Sequence, residues 1–580
     1  GEYKRDKDEL ESLILDIKKY SDKLSDSSQS EEELVNSIEY MEKYYLLSSK
    51  LMYYTELKQS TNTSDSEITN EVNDIEKKTS EASKPLTAIK KFIAGFDNLE
   101  ELIAGNKKLK DYAYIISEIV SESNHLLSDD VEEVIAKLNI SAGSAWSSMQ
   151  SFLTSTLEVE YDGKVVTLPE IRNLAYDKDP KVRKAAYEAE LKAMDKIKDG
   201  VSFSLNNIKT QVNTVCDLRG YASPLDMTLE KSRMNRETLD ALILAIKEYL
   251  PAFRRYLKHK AKILGHSNGL PWYDLFAPIG ESSRKFTIEE AREYLVKHFR
   301  SFSKDAADMI EEAFDNEWID FYPKKGKVGG AFCENLPFAK ESRILSNFTG
   351  NFGDVVTLAH ELGHAYHGMM IQEHRPLNTD YSMPVAETAS TFNEAIVMES
   401  AIKEADDKER LALIEDQLLN VTHIIVDIYS RYLFENSVFE ESRKGFLFAD
   451  QLNKLMLDAQ KESYGDGLDP DYLHPYMWVV KSHYYSENLS FYNFPYAFGG
   501  LFARGLYEKY KSEGDEFLPK YRGLLNSTTI MSVENAAKQA EIDIEDPEFW
   551  RSSLASYEKM IDEFINTEGI SLNEGNTKEE

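Results

Sequence analysis

Helical spacing of apolar residues is the feature that most limits what this chain can fold into. In EEELVNSIEYMEKYYLLSSKLMYY, the apolar positions Leu34, Ile38, Met41 and Tyr45 follow one another by four, three and four residues. That spacing places them on one face of an α-helix. Helical patterns run from residue 5 to about 155, with a polar interruption at 58–67, and dominate again from about 354 to 463. We therefore predict a mainly α protein.

Two segments depart from this pattern and indicate strands. In STLEVEYDGKVVTLPEI, apolar and charged residues alternate around the turn dipeptide Asp162-Gly163, which predicts a hairpin near 155–168. Helical spacing then returns, with Asp179 as the expected N-cap and Pro180 as the first helical residue. Between 321 and 350, FYPKKGKVGGAFCENL and RILSNFTG favour short strands. The expected β content is a small element near the middle of the chain.

The length of the chain predicts more than one lobe. Its 580 residues exceed what one hydrophobic core usually fills. We predict an N-terminal helical lobe over 1–195, which includes the hairpin, and a second domain over 196–562. The polar end of the sequence, 563–580, has the composition of a disordered tail.

Composition excludes several classes of partner. Asp and Glu total 101 against 68 Lys and Arg, so the formal charge is −33. Such a surface repels nucleic-acid phosphates and anionic lipids, so we expect neither nucleic acid nor membrane as a partner. It weakly favours cationic ligands, although solubility alone also explains it. The two cysteines, Cys216 and Cys333, fit no CxxC pattern, which excludes a disulfide framework and favours a reducing compartment.

The start of the sequence and its hydropathy indicate a cytoplasmic protein. The opening GEYKRDKDEL lacks the apolar core of a signal peptide, although a leader removed earlier stays possible. No run of the sequence approaches the ~18 apolar residues of a membrane span. The sequence does not address the oligomeric state.

A histidine-rich segment, TLAHELGHAYHG at 357–368, predicts a metal site. His360 and His364 are four residues apart and project from one helix face, about 40° from each other. Two imidazoles one turn apart can bind one cation, and neutral imidazole suits zinc. Glu361 lies about 100° from His360, where it flanks the metal and suits a base acting on metal-bound water. An ordinary polar helix face is the alternative.

A catalytic zinc needs a third protein ligand and one open position. Metzincins place a glycine three residues, and a histidine six residues, beyond the second histidine. Here those positions are His367 and Met370, so the segment does not match the metzincin pattern. The other source of a third ligand is a glutamate on a following helix. In NTDYSMPVAETASTFNEAIVMESAI, Pro384 can start a helix that carries Glu387 in its first turn and Glu394 on the same face.

Four motifs in order resemble one family. GGAFC at 329–333, NFTGNFGDVVTLAHELGHAYH, PVAETASTFNE and KSHYYSENLSFYNFPYAFGGLF are similar to the pattern of oligoendopeptidase F, a branch of the thimet-oligopeptidase-like zinc peptidases. The resemblance is strong over roughly 200–560 and loose before it. It implies two helical lobes around a deep substrate channel, with a small β-sheet near the active site. It also implies a zinc metalloendopeptidase acting on short, unfolded oligopeptides.

The resemblance assigns roles to four residues of the histidine-rich segment and the helix after it. His360 and His364 match the family's zinc-binding histidines, and Glu387 matches its glutamate ligand. Glu361 matches its general base, which takes a proton from metal-bound water and returns it to the leaving amine. One Zn²⁺ per chain is the expected cofactor.

Five more residues are candidates around this centre. His367 lies about 20° from His360, and we expect it to pack or to support the ligands. Glu394 could orient a histidine, or it could be a solvated acid. The family takes oxyanion donors from the aromatic segment 481–500, so His483, Tyr492 and Tyr496 are candidates for that role. The alternative for the tyrosines is a packed hydrophobic wall.

The glycine-rich segment KVGGAFCENL is a candidate substrate-binding strand. An exposed strand at Gly329, Gly330, Ala331 and Phe332 could pair with a substrate main chain and bind peptides without demanding particular side chains. The resemblance points the same way, and a buried strand is the alternative.

Three other functions stay open at this stage. A carboxydipeptidase of similar fold would trim two residues from a C-terminus. A peptide-binding protein with an inactive site is a second possibility, although His360, Glu361, His364 and Glu387 are all present. A helical scaffold with a structural zinc is the third, but such sites usually have four protein ligands and favour cysteine, which is absent nearby.

Overall fold

The structure is a computed structural model that describes residues 1–24, 29–280 and 284–567. The chain forms two compact units, each assembled from three stretches of sequence. Among the described residues, those of 1–126, 284–397 and 513–542 form the first unit, and those of 127–283, 398–512 and 543–580 form the second. Both units are mainly helical, with small sheets, which confirms the predicted fold class. The substrate channel and the single domain boundary at 195/196 stay predictions.

The first unit has a helical core built from the predicted apolar stripe. Leu34, Ile38 and Met41 are buried in a cluster with residues of four neighbouring helices, while Tyr45 is half-buried. The helices of this unit are Glu2–Leu24, Glu31–Thr61, Ser66–Ser80, Ser83–Ala94, Leu99–Gly105, Lys107–Asp111, Ala113–Asn124, Ile288–Phe302, Lys304–Asp315, Phe352–Ile371, Met383–Ala386, Thr388–Glu404, Phe517–Ser527 and Val533–Lys538. Thr388–Glu404 continues past residue 397 into the second unit.

The longest helix of the second unit, among the residues described, is Arg236–Ile263. Asp179 caps a helix there by accepting a hydrogen bond from the Lys181 N–H at 2.8 Å, and Pro180 is the first helical residue, as predicted. The helices are Asp129–Asn139, Gly143–Ser155, Leu168–Asn173, Pro180–Asp195, Lys198–Leu218, Pro224–Lys231, Arg236–Ile263, Asp407–Thr422, the π-helical turn His423–Asp427, Ile428–Ser442, Ala449–Tyr464, Met477–Val480, Phe494–Glu513 and Pro547–Asn566.

Short 3₁₀ turns connect several of these helices. In the first unit they are Pro376–Asn378 and Gly514–Glu516. In the second they are Leu174–Tyr176, Trp272–Asp274, Gly465–Gly467, Pro470–Tyr472 and Ser482–Tyr484. None of the helices in the described ranges is long and apolar enough to cross a membrane.

In the part of the chain that the structure describes, each unit has one small sheet. In the second unit, β1 (Glu158–Tyr161) and β2 (Lys164–Thr167) form an antiparallel pair in the segment where the alternation indicates a hairpin. Both turn residues, Asp162 and Gly163, have positive φ, as a tight two-residue hairpin turn requires. In the first unit, β3 (Ile319–Asp320), β4 (Phe332–Leu336) and β5 (Glu341–Leu345) have the order β3-β5-β4. β5 is parallel to β3 and antiparallel to β4.

Two segments differ in detail from the expectations. Residues 321–331 contain no strand, because β4 begins only at Phe332, so the glycines of KVGGAFCENL precede the strand. At the end of the sequence, the helix Pro547–Asn566 continues four residues into the predicted tail. Residues 568–580 of that tail lie outside the described residues.

Candidate functional site

The histidine-rich segment forms the helix Phe352–Ile371 in the first unit, here called the HExxH helix. The helix begins where Asp354 Oδ2 accepts hydrogen bonds from the N–H groups of Thr349 at 2.7 Å and Asn351 at 3.0 Å. Those bonds satisfy donors that precede the first turn, and an acidic residue there also suits the positive end of the helix dipole. The helical geometry then brings His360 and His364 to one face.

Three side-chain atoms converge beside this helix. His360 Nε2 and His364 Nε2 are 3.2 Å apart, and Glu387 Oε2 lies 3.2 Å from the first and 3.4 Å from the second. These residues form a group of possible metal ligands, and all three are half-buried. Two facing imidazole nitrogens and a carboxylate oxygen at such distances are placed to bind one cation.

The spacing of these atoms fits a zinc ion. Tetrahedral zinc with bonds of about 2.0–2.2 Å to nitrogen and oxygen separates its ligand atoms by roughly 3.3–3.5 Å. The observed separations are 3.2–3.4 Å. Two histidines and one glutamate also make up the protein ligand set of a known class of catalytic zinc sites, in which a fourth position stays open. The residues present therefore fit the expected metal.

Glu387 reaches this position differently from the prediction. Instead of lying in the first turn of one helix, it lies at a break between the short helix Met383–Ala386 and the helix Thr388–Glu404. Its own φ and ψ of −92° and 8° are outside the α-helical range. Ser390 Oγ donates a hydrogen bond to Glu387 Oε2 at 2.7 Å, which holds the carboxylate. Pro384 lies in the first turn of the short helix, and the next helix begins at Thr388.

Further contacts fix the two helices against each other. Glu394 Oε1 lies 2.5 Å from His360 Nδ1, the geometry expected if Glu394 orients that histidine through its free ring nitrogen. Asn393 Nδ2 donates to the Ala359 carbonyl oxygen at 3.2 Å. At Gly363 a Cβ atom would lie 2.5 Å from Ser390 Cα. Only glycine permits this approach, which brings Glu387 within reach of the histidines.

The charges at the centre perturb one another. Burial lowers the pKa of His360, but hydrogen bonds with Glu387 and Glu394 outweigh it and raise the pKa to about 10. Burial raises the pKa of Glu387, whereas its bonds to His360 and His364 hold it well below the usual range. For Glu361, burial raises the pKa, and this effect exceeds the lowering by the charges of His360 and His364. The acidic groups thus favour a cation at the point where the three ligand atoms meet.

His367 lies on the same helix but is not part of the convergent group. Its ring is fully buried and stacks on Tyr381, with centroids 4.2 Å apart and an interplanar angle of 4°. Its Nε2 lies 2.8 Å from Thr528 Oγ1. Burial lowers the pKa of His367 to about 3, so the ring is neutral. These contacts are those of a packing residue next to the candidate ligands.

The β4 strand has one open edge, and its register determines which residues face that edge. The N–H groups of Ile344, in β5, and Ser346, just after it, donate to carbonyl oxygens on the β3 side, those of Trp318 and Asp320. Since main-chain groups alternate sides along a strand, Arg343 and Leu345 face β4, where they pair with Glu334 and Phe332.

The main-chain groups of Cys333 and Asn335 therefore point away from β5. No strand in the described ranges pairs with them there. Their side chains lie on the HExxH-helix face of the sheet, where Asn335 leaves so little space that Gly368 has no room for a Cβ atom. The main chain of Phe332 pairs with β5. The main-chain donors and acceptors that no described strand pairs with therefore begin at Cys333, one residue after the predicted segment 329–332.

The predicted glycines shape the approach to β4. Gly330 has φ of +78°, which favours glycine, and Gly329 has open space around it. Asn347 Nδ2 donates to the carbonyl oxygens of Val328 at 3.0 Å and Gly330 at 2.8 Å. The segment is thus a fixed turn before the strand, and the roles of Gly329, Gly330 and Ala331 in substrate binding stay predictions.

The aromatic segment places three predicted residues together in the second unit. The rings of His483 and Tyr492 have centroids 4.6 Å apart, and the ring of Tyr496 is 5.5 Å from that of Tyr492. The Tyr496 hydroxyl donates to the Tyr492 hydroxyl at 3.0 Å. Phe491, just before Tyr492, has φ of +53°, a strained value for a bulky residue. Its ring is buried and stacks on Phe439, which holds the strained turn.

Comparison with known proteins assigns the chain to a family. A model described as "Peptidase family M3" matches residues 173–556, well over half of the chain. The chain belongs to peptidase family M3. A second model, "Oligopeptidase F", matches residues 94–158. The resemblance stated from the motifs is confirmed, and so is the prediction of a metalloendopeptidase.

Relatives of this M3 peptidase are known in several bacteria. Oligopeptidase PepF of Bacillus subtilis is 26% identical over 567 residues, covering 96% of this chain and 83% of the relative. An oligoendopeptidase F homolog of Lactococcus lactis is 27% identical, covering 79% and 77%.

Solved structures share the fold of this M3 peptidase. The crystal structure of oligoendopeptidase-F from Enterococcus faecium has a TM-score of 0.71 at 19% identity, with 97% of this chain and 99% of the other covered. A candidate peptidase from Chlamydophila abortus has a TM-score of 0.82 at 21% identity, covering 93% and 91%.

The motifs did not point to several residues that support these groups. Ser390 and Asn393 hold Glu387 and the HExxH helix, and Ser390 could have been found because it lies one helical turn after the glutamate. Cys333 and Asn335 depend on the register of β4. Asn493, which contacts His483, lies next to Tyr492 in a segment already singled out.

Proposed function

We propose that this M3 peptidase is a zinc-dependent endopeptidase that hydrolyses short, unfolded oligopeptides, with one zinc ion per chain. The observation that carries the proposal is the convergence of ligand atoms from His360, His364 and Glu387, 3.2–3.4 Å apart, beside the buried Glu361. The names of the relatives, oligopeptidase and oligoendopeptidase F, support the substrate class. The cytoplasmic location expected from the sequence belongs to the same proposal.

Three side chains would hold the metal. His360 and His364 offer Nε2 and Glu387 offers Oε2, and this set leaves the fourth position that a catalytic zinc needs. Zinc bound there supplies Lewis-acid chemistry, since it polarises the carbonyl under attack and makes a water molecule more acidic. Glu394 accepts a hydrogen bond from His360 Nδ1–H, which keeps Nε2 free for the ion.

Glu361 serves as the general base. It follows His360 on the HExxH helix, is 5% exposed and does not belong to the ligand group. Its carboxylate takes a proton from the attacking water and later returns it to the leaving amine nitrogen. The buried position keeps bulk water from competing for that proton.

The tyrosines stabilise negative charge on the carbonyl oxygen. Because the Tyr496 hydroxyl donates to that of Tyr492, the Tyr492 hydrogen stays available for the substrate. A donor that itself accepts a hydrogen bond is strengthened by it. An oxyanion needs such donors fixed in advance, and the packed rings of this cluster fix them. His483 packs in the same cluster.

The open edge of β4 binds the main chain of the peptide. The N–H and C=O groups of Cys333 and Asn335 can pair with an extended substrate as another strand would. Main-chain pairing depends little on side chains, which suits an enzyme acting on varied peptides. The turn at Gly329 and Gly330 positions the start of this strand.

A fluorescence-quenched peptide tests the proposal. We expect hydrolysis that a chelator abolishes and added zinc restores. Glu361→Gln should bind zinc as the wild type does, measured by metal analysis after dialysis, but lose about 10²–10⁴-fold in kcat. Hydrolysis by Glu361→Gln at the wild-type rate would falsify the assigned base, and a peptide bound but never cleaved by the wild type would indicate a binding protein.

Product masses separate an endopeptidase from a carboxydipeptidase. One short peptide with a blocked C-terminus is compared with the same peptide carrying a free carboxylate. We expect cleavage of both at internal bonds. Release of dipeptides from the free C-terminus alone would contradict endopeptidase action while leaving the zinc site intact.

A further inference from the structure

The hydrogen bonds around His483 determine which of its ring nitrogens carries the proton. His483 Nδ1 lies 3.0 Å from Asn493 Oδ1, and Arg431 Nη1 donates to the same oxygen at 3.1 Å. A guanidinium group can only donate, so the amide atom that faces it has to be the oxygen. An amide oxygen can only accept. His483 Nδ1 must therefore carry a hydrogen, which leaves Nε2 without one in the neutral ring.

The guanidinium that orients the amide is itself held by two side chains. Arg431 is 7% exposed and forms an ion pair with Asp427, which is 5% exposed. Arg431 Nη2 also lies 3.1 Å from His423 Nε2. His423 and Asp427 are the two ends of the π-helical turn, and such turns often occur at functional positions. The orientation of Asn493 is thus built into the helix that carries Arg431.

The surroundings also keep His483 neutral. Burial lowers its pKa, and the charges of Arg431 and Lys481 add to that effect against the opposing influences of Asn493 and Glu435. The Lys481 side chain is half-buried, and burial together with the charge of Arg431 lowers its pKa to about 8. The aromatic rings of Tyr492 and Tyr496 pack on the same imidazole without adding charge.

A neutral imidazole protonated at Nδ1 cannot donate a hydrogen bond from Nε2. It offers a lone pair there, so it is unsuited to stabilise an oxyanion and suited to accept from an N–H or O–H group. The Tyr492 hydroxyl accepts from that of Tyr496, and its own hydrogen is the one assigned to the oxyanion. An unfolded peptide carries an N–H at almost every residue, whatever its side chains.

We infer that His483 Nε2 accepts a hydrogen bond from a main-chain N–H of the peptide substrate, and that Asn493 and Arg431 are positioning residues that hold the required tautomer. This inference rests on the proposed peptidase function. It replaces the expected role of His483 as an oxyanion donor and leaves that role to the tyrosines.

Nitrogen NMR of the imidazoles tests the tautomer without any activity. The protein is labelled with ¹⁵N-histidine, and the His483 signals are identified by their loss in His483→Gln. At neutral pH we expect Nδ1 to show the shift of a protonated nitrogen and Nε2 that of a bare one. A protonated Nε2 in the neutral ring would overturn the inference, even if the enzyme proved active as proposed.

Ester substitution in the substrate tests the partner of Nε2. Each non-scissile amide of one cleaved peptide is replaced in turn by an ester, which removes a single N–H. At one position we expect a loss of about fivefold to tenfold in kcat/KM for the wild type, the size of one hydrogen bond, and less than about twofold for His483→Phe. Equal losses in both enzymes at every position would overturn the inference.

Variants at Asn493 separate positioning from folding. Asn493→Asp keeps an acceptor for Nδ1, so we expect it to keep the tautomer and the ester effect while raising the pKa of His483 in the NMR titration. Asn493→Leu removes the acceptor, and we expect a mixture of tautomers and a reduced ester effect. Asn488→Ala, in the exposed part of the same loop, is the matched control and should change neither. Should the tautomer persist in Asn493→Leu, Asn493 does not set it.

Discussion

At the scale of single residues, the candidate metal centre depends on carboxylates with different roles. Glu387 is a ligand candidate, Glu361 is a base candidate, and Glu394 contacts His360 at Nδ1, on the other side of the ring from the candidate ligand atom Nε2. Helical spacing places Glu361 beside the histidines, whereas Glu387 and Glu394 were predicted on a following helix, and the family resemblance gave Glu387 its role as a ligand. The geometry distinguishes them, because only Glu387 contributes an atom to the convergent group.

We expect Glu394→Gln to weaken zinc binding by about 10–100-fold, because the histidine loses the carboxylate that orients it and makes it a better ligand. Competition with a fluorescent zinc chelator measures the affinity. Glu404→Gln, an exposed substitution on the same helix, is the matched control. Unchanged affinity in Glu394→Gln would show that the contact does not support the ligand.

Glu334 gives a pH-dependent prediction in the first unit. Burial, followed by the charge of Glu56, raises the pKa of Glu334 from its ordinary 4.5 to about 7. The folded state thus binds more protons than the unfolded state between these values, and the resulting stability is present below about pH 4.5 and lost as pH rises through 7. We expect Glu334→Gln to unfold at a higher temperature than the wild type at pH 8, with a smaller difference at pH 5.

Calorimetry of both proteins across this range checks the prediction. Glu100→Gln, which changes an exposed carboxylate of the same unit, should follow the wild type at every pH. A difference between Glu334→Gln and the wild type that is the same at pH 5 and pH 8 would contradict a raised pKa in the folded state.

At the scale of elements, the close approach of two helices determines the site. Gly363 of the HExxH helix lies against Ser390 and Ala389, with the Ala389 carbonyl oxygen 2.6 Å from the position of an added Cβ. The contact has no flexible side chain that could move aside. The spacing of the helices therefore controls the distance from Glu387 to His360 and His364.

We expect Gly363→Ala to destabilise the protein by about 1–3 kcal/mol, the usual effect of overpacking, and to weaken zinc binding as the helices separate. Gly353→Ala, in the first turn of the same helix, has open space around it and should be neutral or slightly stabilising. Thermal unfolding with and without zinc measures both effects. Wild-type zinc affinity in Gly363→Ala would contradict the dependence of the site on helix spacing.

Local patterns predicted those parts of the fold that depend on neighbouring residues. The helix over 352–371, the cap at Asp179 and the i, i+4 histidine pair all follow from short-range spacing. The position of Glu387 in a break, and the open edge of β4, were not predictable in the same way. They depend on where Ser390 packs on Gly363 and on which strand pairs with β5, and those contacts join distant parts of the sequence.

The same limit applies to the role of His483. The aromatic segment identified the residue, but its hydrogen-bonding state follows from Arg431, which is 62 residues from Asn493 in the sequence. A motif gives the residue type at a position. The donor or acceptor character of an imidazole depends on what faces its second nitrogen.

At the scale of the whole molecule, net charge should influence which peptides are captured. With a formal charge of −33, the protein attracts cationic peptides over a distance that shrinks from about 30 Å at 0.01 M salt to about 3 Å at 1 M. We expect a lysine-bearing peptide to exceed its glutamate-bearing counterpart in kcat/KM by several-fold at low salt, and less at high salt. A ratio independent of salt would attribute any preference to local contacts instead.

The first unit is assembled from three separate stretches of sequence, so its packing is complete only after the last stretch has been synthesised. Its last stretch, 513–542, supplies Thr528, the partner of His367 behind the candidate ligands. A ribosome adding about 5–20 residues per second has to reach that stretch before this packing can form. At that rate His367 is made roughly 8–32 s before Thr528, and nascent chains arrested before residue 513 should remain sensitive to protease around the HExxH helix.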